Sequence, residues 1–284
     1  MARSDWHRPS EFSAPENYRR VALTLRYNGS LFCGWQSQNS EISVQDELEK
    51  AVLKLTGLNE VTVVGSGRTD SKVHAMGQVA HIEIPVSCTL PDRAFVHGLN
   101  SFLPEGVRIT EAKSVESSFH ARYSAMAREY RYFWAVVPEH DPFTENTVSR
   151  LRELPDMELL NSYAQIICGT HDFSTFCGAG DQSPSKFRDI YISEFSMVSS
   201  MYGYPVLCYR ICGNAFLYHM VRSLAGTMIQ MAAEGKSAEE FRRILQAGDR
   251  SLCGKTAGPA GLYLWRISYD PEEFRWFEEE HAGR

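Results

Sequence analysis

The first half of the chain alternates between strand-like and helix-like hydrophobic patterns. Arg20–Tyr27 is largely apolar and stops at an Asn-Gly-Ser turn, which predicts a strand. Ser43 occupies the capping position before apolar residues at helical spacing, and Gly57 predicts the end of that helix. Further strands are predicted at Val61–Val64, Met76–Ile84 and Val107–Ala112, and a helix at Asp92–Phe102. The predicted order is β-α-β-β-α-β.

The second half also mixes strands with helices, without a clear internal sequence repeat. Strands are predicted at Arg128–Val137, Phe187–Met197, Pro205–Ile211 and Leu262–Tyr269, and helices at Met157–Cys168, Phe216–Ala233 and Ser237–Gln246. We therefore predict an α+β protein of two ferredoxin-like halves, residues 18–115 and 116–270. Their antiparallel or mixed sheets are predicted to join and to leave an active-site cleft between the halves. A flexible tail is predicted at 1–17 and an acidic tail at 271–284.

Composition predicts a folded, soluble protein. The 284 residues are 43% hydrophobic, and no apolar run approaches the ~20 residues of a membrane helix. The start of the chain lacks the apolar core of a secretory signal, so we expect a cytoplasmic protein without a membrane partner. Seven cysteines without a C-x-x-C pair fit that compartment. Cys208 and Cys212, with His219 nearby, allow a metal site, but buried apolar thiols are the favoured interpretation and no metal is predicted.

The net charge of −6 does not by itself indicate a nucleic-acid-binding protein, so the placement of charge matters more. Residues 120–134 contain three arginines, Arg122, Arg128 and Arg131, and a single acid, Glu129. Aromatic residues lie between these charges. Arginines beside aromatic rings suit RNA, because they supply cations for phosphates and flat faces for stacking bases. An ordinary sheet strand with solvated arginines explains the same pattern.

Asp70 is the acidic residue with the most informative surroundings. The run Gly65-Ser66-Gly67-Arg68-Thr69-Asp70 lies between two apolar segments, which predicts a tight loop between strands. An aspartate in a loop is commonly a turn former. The neighbouring Arg68 would keep its carboxylate ionised, and catalytic groups are often placed on loops anchored by a rigid scaffold. Periodicity leaves both interpretations open.

Several motifs, in the same order along residues 18–269, resemble those of the TruA-type tRNA pseudouridine synthases. The core of the resemblance is Gly67-Arg68-Thr69-Asp70 followed by Val73-His74-Ala75 and Gly77-Gln78-Val79. The other matching segments are residues 27–38, 118–125, 128–132, 171–177, 213–222 and 260–264.

The resemblance implies that the protein isomerises uridine to pseudouridine at positions 38, 39 and/or 40 of the tRNA anticodon stem-loop. It also implies a homodimer that needs no cofactor. By resemblance, Asp70 is the catalytic nucleophile or base, and Arg222 is its cationic partner. Tyr130 stacks on uracil, and its hydroxyl assists proton removal from C5. Arg68 fills the space that the flipped nucleotide leaves.

One position departs from the family pattern. The family usually carries glycine just before the Val-His-Ala step, where this chain has Lys72. If this position has a positive φ, lysine costs about 1 kcal/mol or more in local strain. A cation added here could also reach a phosphate.

Two alternatives belong to other functional classes. A non-catalytic RNA-binding protein of the same fold would keep the arginines and aromatic residues but tolerate loss of Asp70. A hydrolase using Asp70 would release free uracil, and it is disfavoured because no second acid or nucleophile–base pair lies at a recognisable spacing.

Overall fold

The computed structural model describes residues 12–38, 41–137, 141–200 and 203–270. The predicted acidic tail at 271–284 and most of the predicted N-terminal tail lie outside the described residues. Within the described ranges, none of the helices is long and apolar enough to cross a lipid bilayer. The described residues form two compact units, 12–126 with 264–269, and 127–263 with 270. Residues 116–126 thus belong with the first unit, although the sequence suggested a division after residue 115.

The first unit confirms the predicted β-α-β-β-α-β order. Strand β1 pairs in antiparallel register with β3 on one side and β4 on the other, while β2 pairs with β3. Its elements are β1 (Tyr18–Tyr27), α1 (Val44–Thr56), β2 (Val63–Gly65), β3 (His74–Pro85), α2 (Asp92–Phe102) and β4 (Val107–Val115).

Local sequence explains where the helices of the first unit begin and end. The Ser43 side chain accepts a hydrogen bond from the Asp46 N–H, and Gly57 ends α1 in the left-handed region with φ of 72°. Helix α1 buries Leu48 and Val52, and α2 buries Phe95 and Leu99. The two helices contact each other as well as the strands β2 and β4, which places the core of this unit between the helices and the sheet.

The second unit has a sheet in the order β5-β9-β8-β7, and the short β6 runs parallel to β5. The pairs β5–β9, β8–β9 and β7–β8 are antiparallel. Because β6 is parallel to β5, the sheet is mixed. Its elements are β5 (Ala127–Ala135), β6 (Ser149–Arg150), α3 (Met157–Ile166), β7 (Gly169–Asp172), β8 (Phe187–Ser199), β9 (Pro205–Gly213), α4 (Met220–Ala233) and α5 (Ala238–Ala247). The final strand, β10 (Leu262–Ser268), leaves this unit, and its residues 264–268 lie beside β3 in the first unit.

Helix α4 starts four residues later than the sequence predicted. The prediction of a helix from Phe216 is wrong, because His219 takes the left-handed conformation, with φ of 60°, as the residue before the helix. The preceding segment uses its backbone in other contacts. The Tyr218 N–H donates to Asp181 Oδ2 at 2.7 Å, and the Tyr218 carbonyl accepts from the Gly178 N–H at 2.8 Å. The apolar spacing of this segment therefore does not continue as a helix.

Candidate active site

Buried, uncharged hydrogen bonds hold the beginning of the Asp70 loop. The loop leaves β2 at Ser66, whose N–H donates to the Val79 carbonyl at 2.7 Å and whose hydroxyl donates to Gln78 Oε1 at 2.6 Å. The Gln78 amide then donates to the Gly67 carbonyl at 2.8 Å. Ser66 and Gln78 are almost fully buried, and buried hydrogen bonds of this kind are costly to break. The first half of the loop is therefore fixed to β3.

Thr69 ties the middle of the loop to a different part of the first unit. Its hydroxyl hydrogen-bonds the Tyr27 hydroxyl at 2.8 Å, and its carbonyl accepts from the Trp35 N–H at 3.1 Å. Tyr27 and Trp35 belong to the segment 27–38 that the sequence analysis noted without assigning a role. The structure shows that this segment supports the backbone immediately before Asp70.

Asp70 begins a tight turn. The Val73 N–H donates to the Asp70 carbonyl at 3.1 Å, and Lys72 has φ of 65°. A positive φ confined to the third residue of a four-residue turn is the pattern of a type II turn, in which glycine is favoured at that position. Lys72 therefore has the positive φ at which a lysine costs about 1 kcal/mol or more in local strain.

Two glycines let neighbouring backbone approach this turn closely. A Cβ placed on Gly34, which has φ of 118°, would lie 2.7 Å from the Thr69 carbonyl oxygen and 3.1 Å from the Asp70 carbonyl carbon. A Cβ on Gly29 would overlap the Val73 carbonyl group. Since neither site has room for a side chain, the conformation of residues 69–73 depends on these glycines.

The charged side chains of the loop are more accessible than the groups that hold it. Asp70 is half-buried and Arg68 is exposed, whereas Thr69 between them is buried. The arrangement presents a carboxylate and a guanidinium on a fixed backbone, which is the arrangement expected of reacting groups.

Tyr130 lies in the second unit, on a central strand. It is paired with Ile211 of β9 and is 9% exposed. Its ring meets the Phe216 ring edge to face, with centroids 5.2 Å apart. Arg128, on the same face of β5, donates to the Asn214 carbonyl at 2.7 Å, and the Asn214 side chain bonds to Asp189. Tyr130 thus packs against Phe216 of the segment that leads to α4, and Arg128 hydrogen-bonds the same segment.

Arg222 lies in the first turn of α4 and is joined to the segment that precedes β10. Its Nε donates to the Ala257 carbonyl at 2.8 Å, and the Ala257 N–H donates to the Arg222 carbonyl at 3.0 Å. Gly226, one turn later, allows this close approach, because a Cβ there would overlap the Lys255 carbonyl. Burial raises the pKa of Tyr132 to about 12, and the charge of Arg222 opposes that rise. Arg222 is therefore close enough to Tyr132 on β5 to act on it electrostatically.

The opposite face of β5 carries a charge cluster that accounts for part of the arginine-rich window. Arg131 and Arg210 are directly opposite each other on β5 and β9. The buried carboxylate of Glu129 lies 2.7 Å from Arg131 Nε and 3.2 Å from Arg210 Nε. Glu194 adds a further contact to Arg210 at 3.2 Å. Arg131 and Arg210 neutralise the buried carboxylate of Glu129 between the two strands, which is a structural role.

Cys208 and Cys212 are buried, as the favoured interpretation predicted. Burial raises the pKa of the Cys208 thiol to about 11, so it stays protonated and apolar at neutral pH. Across the described residues, no three potential His, Cys, Asp or Glu ligands are grouped in a way that could hold a metal ion.

The predicted site residues thus fall into two sets. Arg68 and Asp70 share one loop of the first unit, while in the second unit Tyr130 lies on β5 and Arg222 lies in the first turn of α4. Their roles stay predictions. Tyr27, Gly34 and Gln78 belong to the motifs that resemble the family, but their supporting contacts with the loop were not predicted.

Comparisons with known proteins identify the class. A family model described as "tRNA pseudouridine synthase" matches residues 24–124 and 163–270. Asp70, Arg68 and Arg222 lie inside these ranges, and Tyr130 lies between them. The chain belongs to the tRNA pseudouridine synthase family, whose enzymes are isomerases.

Its relatives carry a more specific name, tRNA pseudouridine synthase A. The chain is 40% identical to the protein of that name from Anoxybacillus flavithermus over 253 residues, covering 89% of this chain and 99% of the relative. It is 43% identical to that of Treponema pallidum over 261 residues, covering 90% of each. It is 39% identical to that of Bacillus subtilis over 252 residues, covering 88% of this chain and 99% of the relative.

The solved structures that match include a chain from "Crystal Structure of a Cbf5-Nop10-Gar1 Complex". Sequence identity is 11% and the TM-score is 0.35, and the match covers 92% of this chain and 56% of that one. A similarity at this level carries no argument about function.

Proposed function

We propose that this enzyme converts uridine to pseudouridine at positions 38, 39 and/or 40 of the tRNA anticodon stem-loop. In this reaction the bond between C1′ and N1 of uracil breaks, and a bond between C1′ and C5 forms. The C5 proton leaves and N1 gains a proton, so atoms and electrons balance without a cofactor. The chain's family and its similarity to proteins named tRNA pseudouridine synthase A support tRNA as the substrate.

The observation that carries the proposal is the way the Asp70 carboxylate is presented. The flanking backbone is held by buried bonds through Ser66 and Thr69, and Asp70 itself begins a turn closed by the Val73 N–H. A carboxylate that attacks a sugar or base, or removes a proton, must stay in one position while the substrate reacts. A simple turn former would not need so many buried supporting groups.

The other three residues have distinct proposed roles. Arg68, exposed on the same loop, fills the place of the flipped nucleotide and offsets part of the unstacking cost of a few kcal/mol. Tyr130 stacks on the detached uracil, and its hydroxyl assists removal of the C5 proton. Arg222 supplies the positive charge that favours an ionised carboxylate in the site. The enzyme is proposed to act as a homodimer in the cytoplasm.

Position-specific tritium release tests this proposal. An anticodon stem-loop in tRNA carries [5-³H]uridine, and single substitutions replace uridine by cytidine at position 38, 39 or 40. We expect tritium release from the unsubstituted tRNA, and loss of release when the modified position becomes cytidine. Sedimentation of the enzyme alone measures whether it is a dimer.

Two outcomes contradict the proposal. Unchanged release after all three positions are replaced would place the reaction elsewhere in tRNA. Free uracil in place of pseudouridine would identify a hydrolase, and tRNA binding without either product would identify a non-catalytic RNA-binding protein.

A further inference from the structure

Lys72 occupies an unfavourable conformation two residues from the proposed catalytic carboxylate. Its φ of 65° lies in the region that glycine adopts most readily, and its side chain is exposed. An exposed side chain gains little from packing, so burial does not explain a lysine here. Strained residues concentrate at functional sites because function can offset their cost.

The backbone of this turn is imposed by its neighbours and not by Lys72. The Lys72 N–H donates to the Phe32 carbonyl at 3.4 Å, and the Val73 N–H closes the turn on Asp70. Gly34 lies against the same backbone, close to the Asp70 carbonyl carbon. Glycine or asparagine would fit the turn with less strain. The feature that lysine adds is therefore its charge.

The charge of Lys72 is available to an external anion. In the part of the chain that the structure describes, the side chains of Lys72 and Arg68 have neither an ion pair nor a hydrogen bond. Both are exposed, and they flank Asp70 at two residues on either side. An RNA whose target nucleotide reaches Asp70 brings backbone phosphates to the same loop.

We infer that Lys72 binds a backbone phosphate of the RNA beside the target nucleotide. This inference rests on the proposed function. A single lysine–phosphate contact releases about one counterion, so it steepens the dependence of log K on log salt by about 0.7 to 0.9. Lys72 then contributes to affinity for any tRNA substrate without reading its sequence.

The test compares Lys72→Asn, Lys72→Gly and Lys72→Arg with the wild-type enzyme. Asparagine and glycine suit the left-handed turn without the charge, and arginine keeps the charge. Lys54→Gln is a matched control, because it removes one exposed positive charge from helix α1 of the same unit. Affinity for the anticodon stem-loop is measured across salt concentrations, with tritium release followed in parallel.

We expect Lys72→Asn and Lys72→Gly to bind about five- to tenfold more weakly near 100 mM salt, with a slope smaller by about 0.7 to 0.9. Lys72→Arg and Lys54→Gln should keep the wild-type slope. Thermal unfolding of the asparagine and glycine variants should occur at the same temperature or higher, because strain is relieved.

The inference is wrong if the asparagine and glycine variants keep the wild-type slope, or if Lys54→Gln flattens it equally. It is also wrong if Lys72→Arg loses as much affinity as Lys72→Asn. Wild-type enzyme that releases no tritium would overturn the proposed function instead, so the two failures are distinguishable.

Discussion

Two pairs in this protein place an arginine and an acid two residues apart, yet the structure treats them differently. Glu129 and Arg131 lie on one face of strand β5, where alternate residues point the same way, and their side chains are 2.7 Å apart. Arg68 and Asp70 lie in a loop, with the buried Thr69 between an exposed guanidinium and a half-buried carboxylate. The same spacing therefore forms an ion pair on a strand but not in the loop, where we propose that the two side chains act on the substrate.

The two pairs also differ in the groups that support them, which are charged around Glu129 and uncharged around the Asp70 loop. Glu129 is 3% exposed and contacts two arginines, so its charge is neutralised by other residues of the fold. The Asp70 loop is held by hydroxyls, an amide and backbone groups, none of them charged. The exposed guanidinium of Arg68 takes no part in these supporting bonds. We expect substitutions of Glu129 or Arg131 to change stability and substitutions of Arg68 or Asp70 to change activity.

Glu129→Gln should give the largest loss of stability. It removes the carboxylate that contacts both Arg131 and Arg210, which lie directly opposite each other, and this costs about 3 kcal/mol of unfolding free energy. Urea unfolding measures the loss, and tritium release per folded molecule should stay within about threefold of wild type, on the order of 0.6 kcal/mol. A variant with unchanged stability and abolished turnover would remove the distinction between the two pairs.

Tyr130→Phe sharpens the comparison within one face of β5. If the hydroxyl assists proton removal, turnover falls about a hundredfold while stability changes little. The matched control is Tyr132→Phe, since the Tyr132 hydroxyl hydrogen-bonds the Ser149 hydroxyl at 2.5 Å and donates to the Gly258 carbonyl at 2.7 Å. That control should lose about 1 kcal/mol of stability and keep its turnover per folded molecule. The opposite pattern would show that Tyr132, and not Tyr130, has the catalytic role.

Gly34→Ala tests whether the loop depends on close backbone approach. The new Cβ would lie 2.7 Å from the Thr69 carbonyl, so we expect about 2 kcal/mol of destabilisation and reduced turnover from a displaced Asp70. Gly57→Ala is the control, because Gly57 also has a positive φ but no atom within 4 Å of the added Cβ. It should lose about 1 kcal/mol and keep full turnover. Equal effects of the two variants on turnover would mean that the contact with the loop is unimportant.

The smallest expected effect is a dependence of the unfolding free energy on pH, caused by His81 in the first unit. Burial lowers the pKa of His81 to about 3, with smaller contributions from Arg20 and His120. The neutral ring accepts the Ala121 N–H at 3.1 Å. Because the folded-state pKa is below the unfolded value of about 6.5, stability is complete above pH 6.5 and falls as the pH decreases towards 3. At pH 5.5 the loss is about 1 kcal/mol.

His81→Gln keeps an acceptor for Ala121 but does not titrate. The difference in unfolding free energy between wild type and this variant should therefore shrink or reverse from pH 7 to 5.5. A difference that stays constant with pH would show that His81 is not the source of acid sensitivity.

Much of the local structure could be predicted from sequence because its signals are local. The limits of α2 match the prediction, and α1 is bounded by the predicted Ser43 and Gly57. Helix α4 was predicted to begin too early, since the left-handed His219 and the contacts of Tyr218 with residues 178–181 are not visible in hydrophobic spacing. Strand β7 is short and polar, so it carries no periodic signal.

The candidate site was less accessible to reasoning from the residues alone. Asp70 drew attention as an acid in a loop, but only the resemblance to a family separated it from a turn former. The support from Tyr27 and Gly34 depends on partners more than 30 residues away. In contrast, the sequence alone drew attention to Lys72, because the family pattern has glycine at this position. The structure gives Lys72 a φ of 65°, a conformation that glycine adopts more readily than lysine.

The most direct test of the account is single-turnover tritium release by Asp70→Asn at saturating tRNA, with thermal unfolding measured on the same preparation. Since buried bonds through Ser66, Thr69 and Gln78 hold the loop, the variant should unfold within a few degrees of wild type. Its turnover should fall by about 10⁴-fold or more. Appreciable turnover in a folded Asp70→Asn enzyme would contradict the central claim that this carboxylate performs the chemistry.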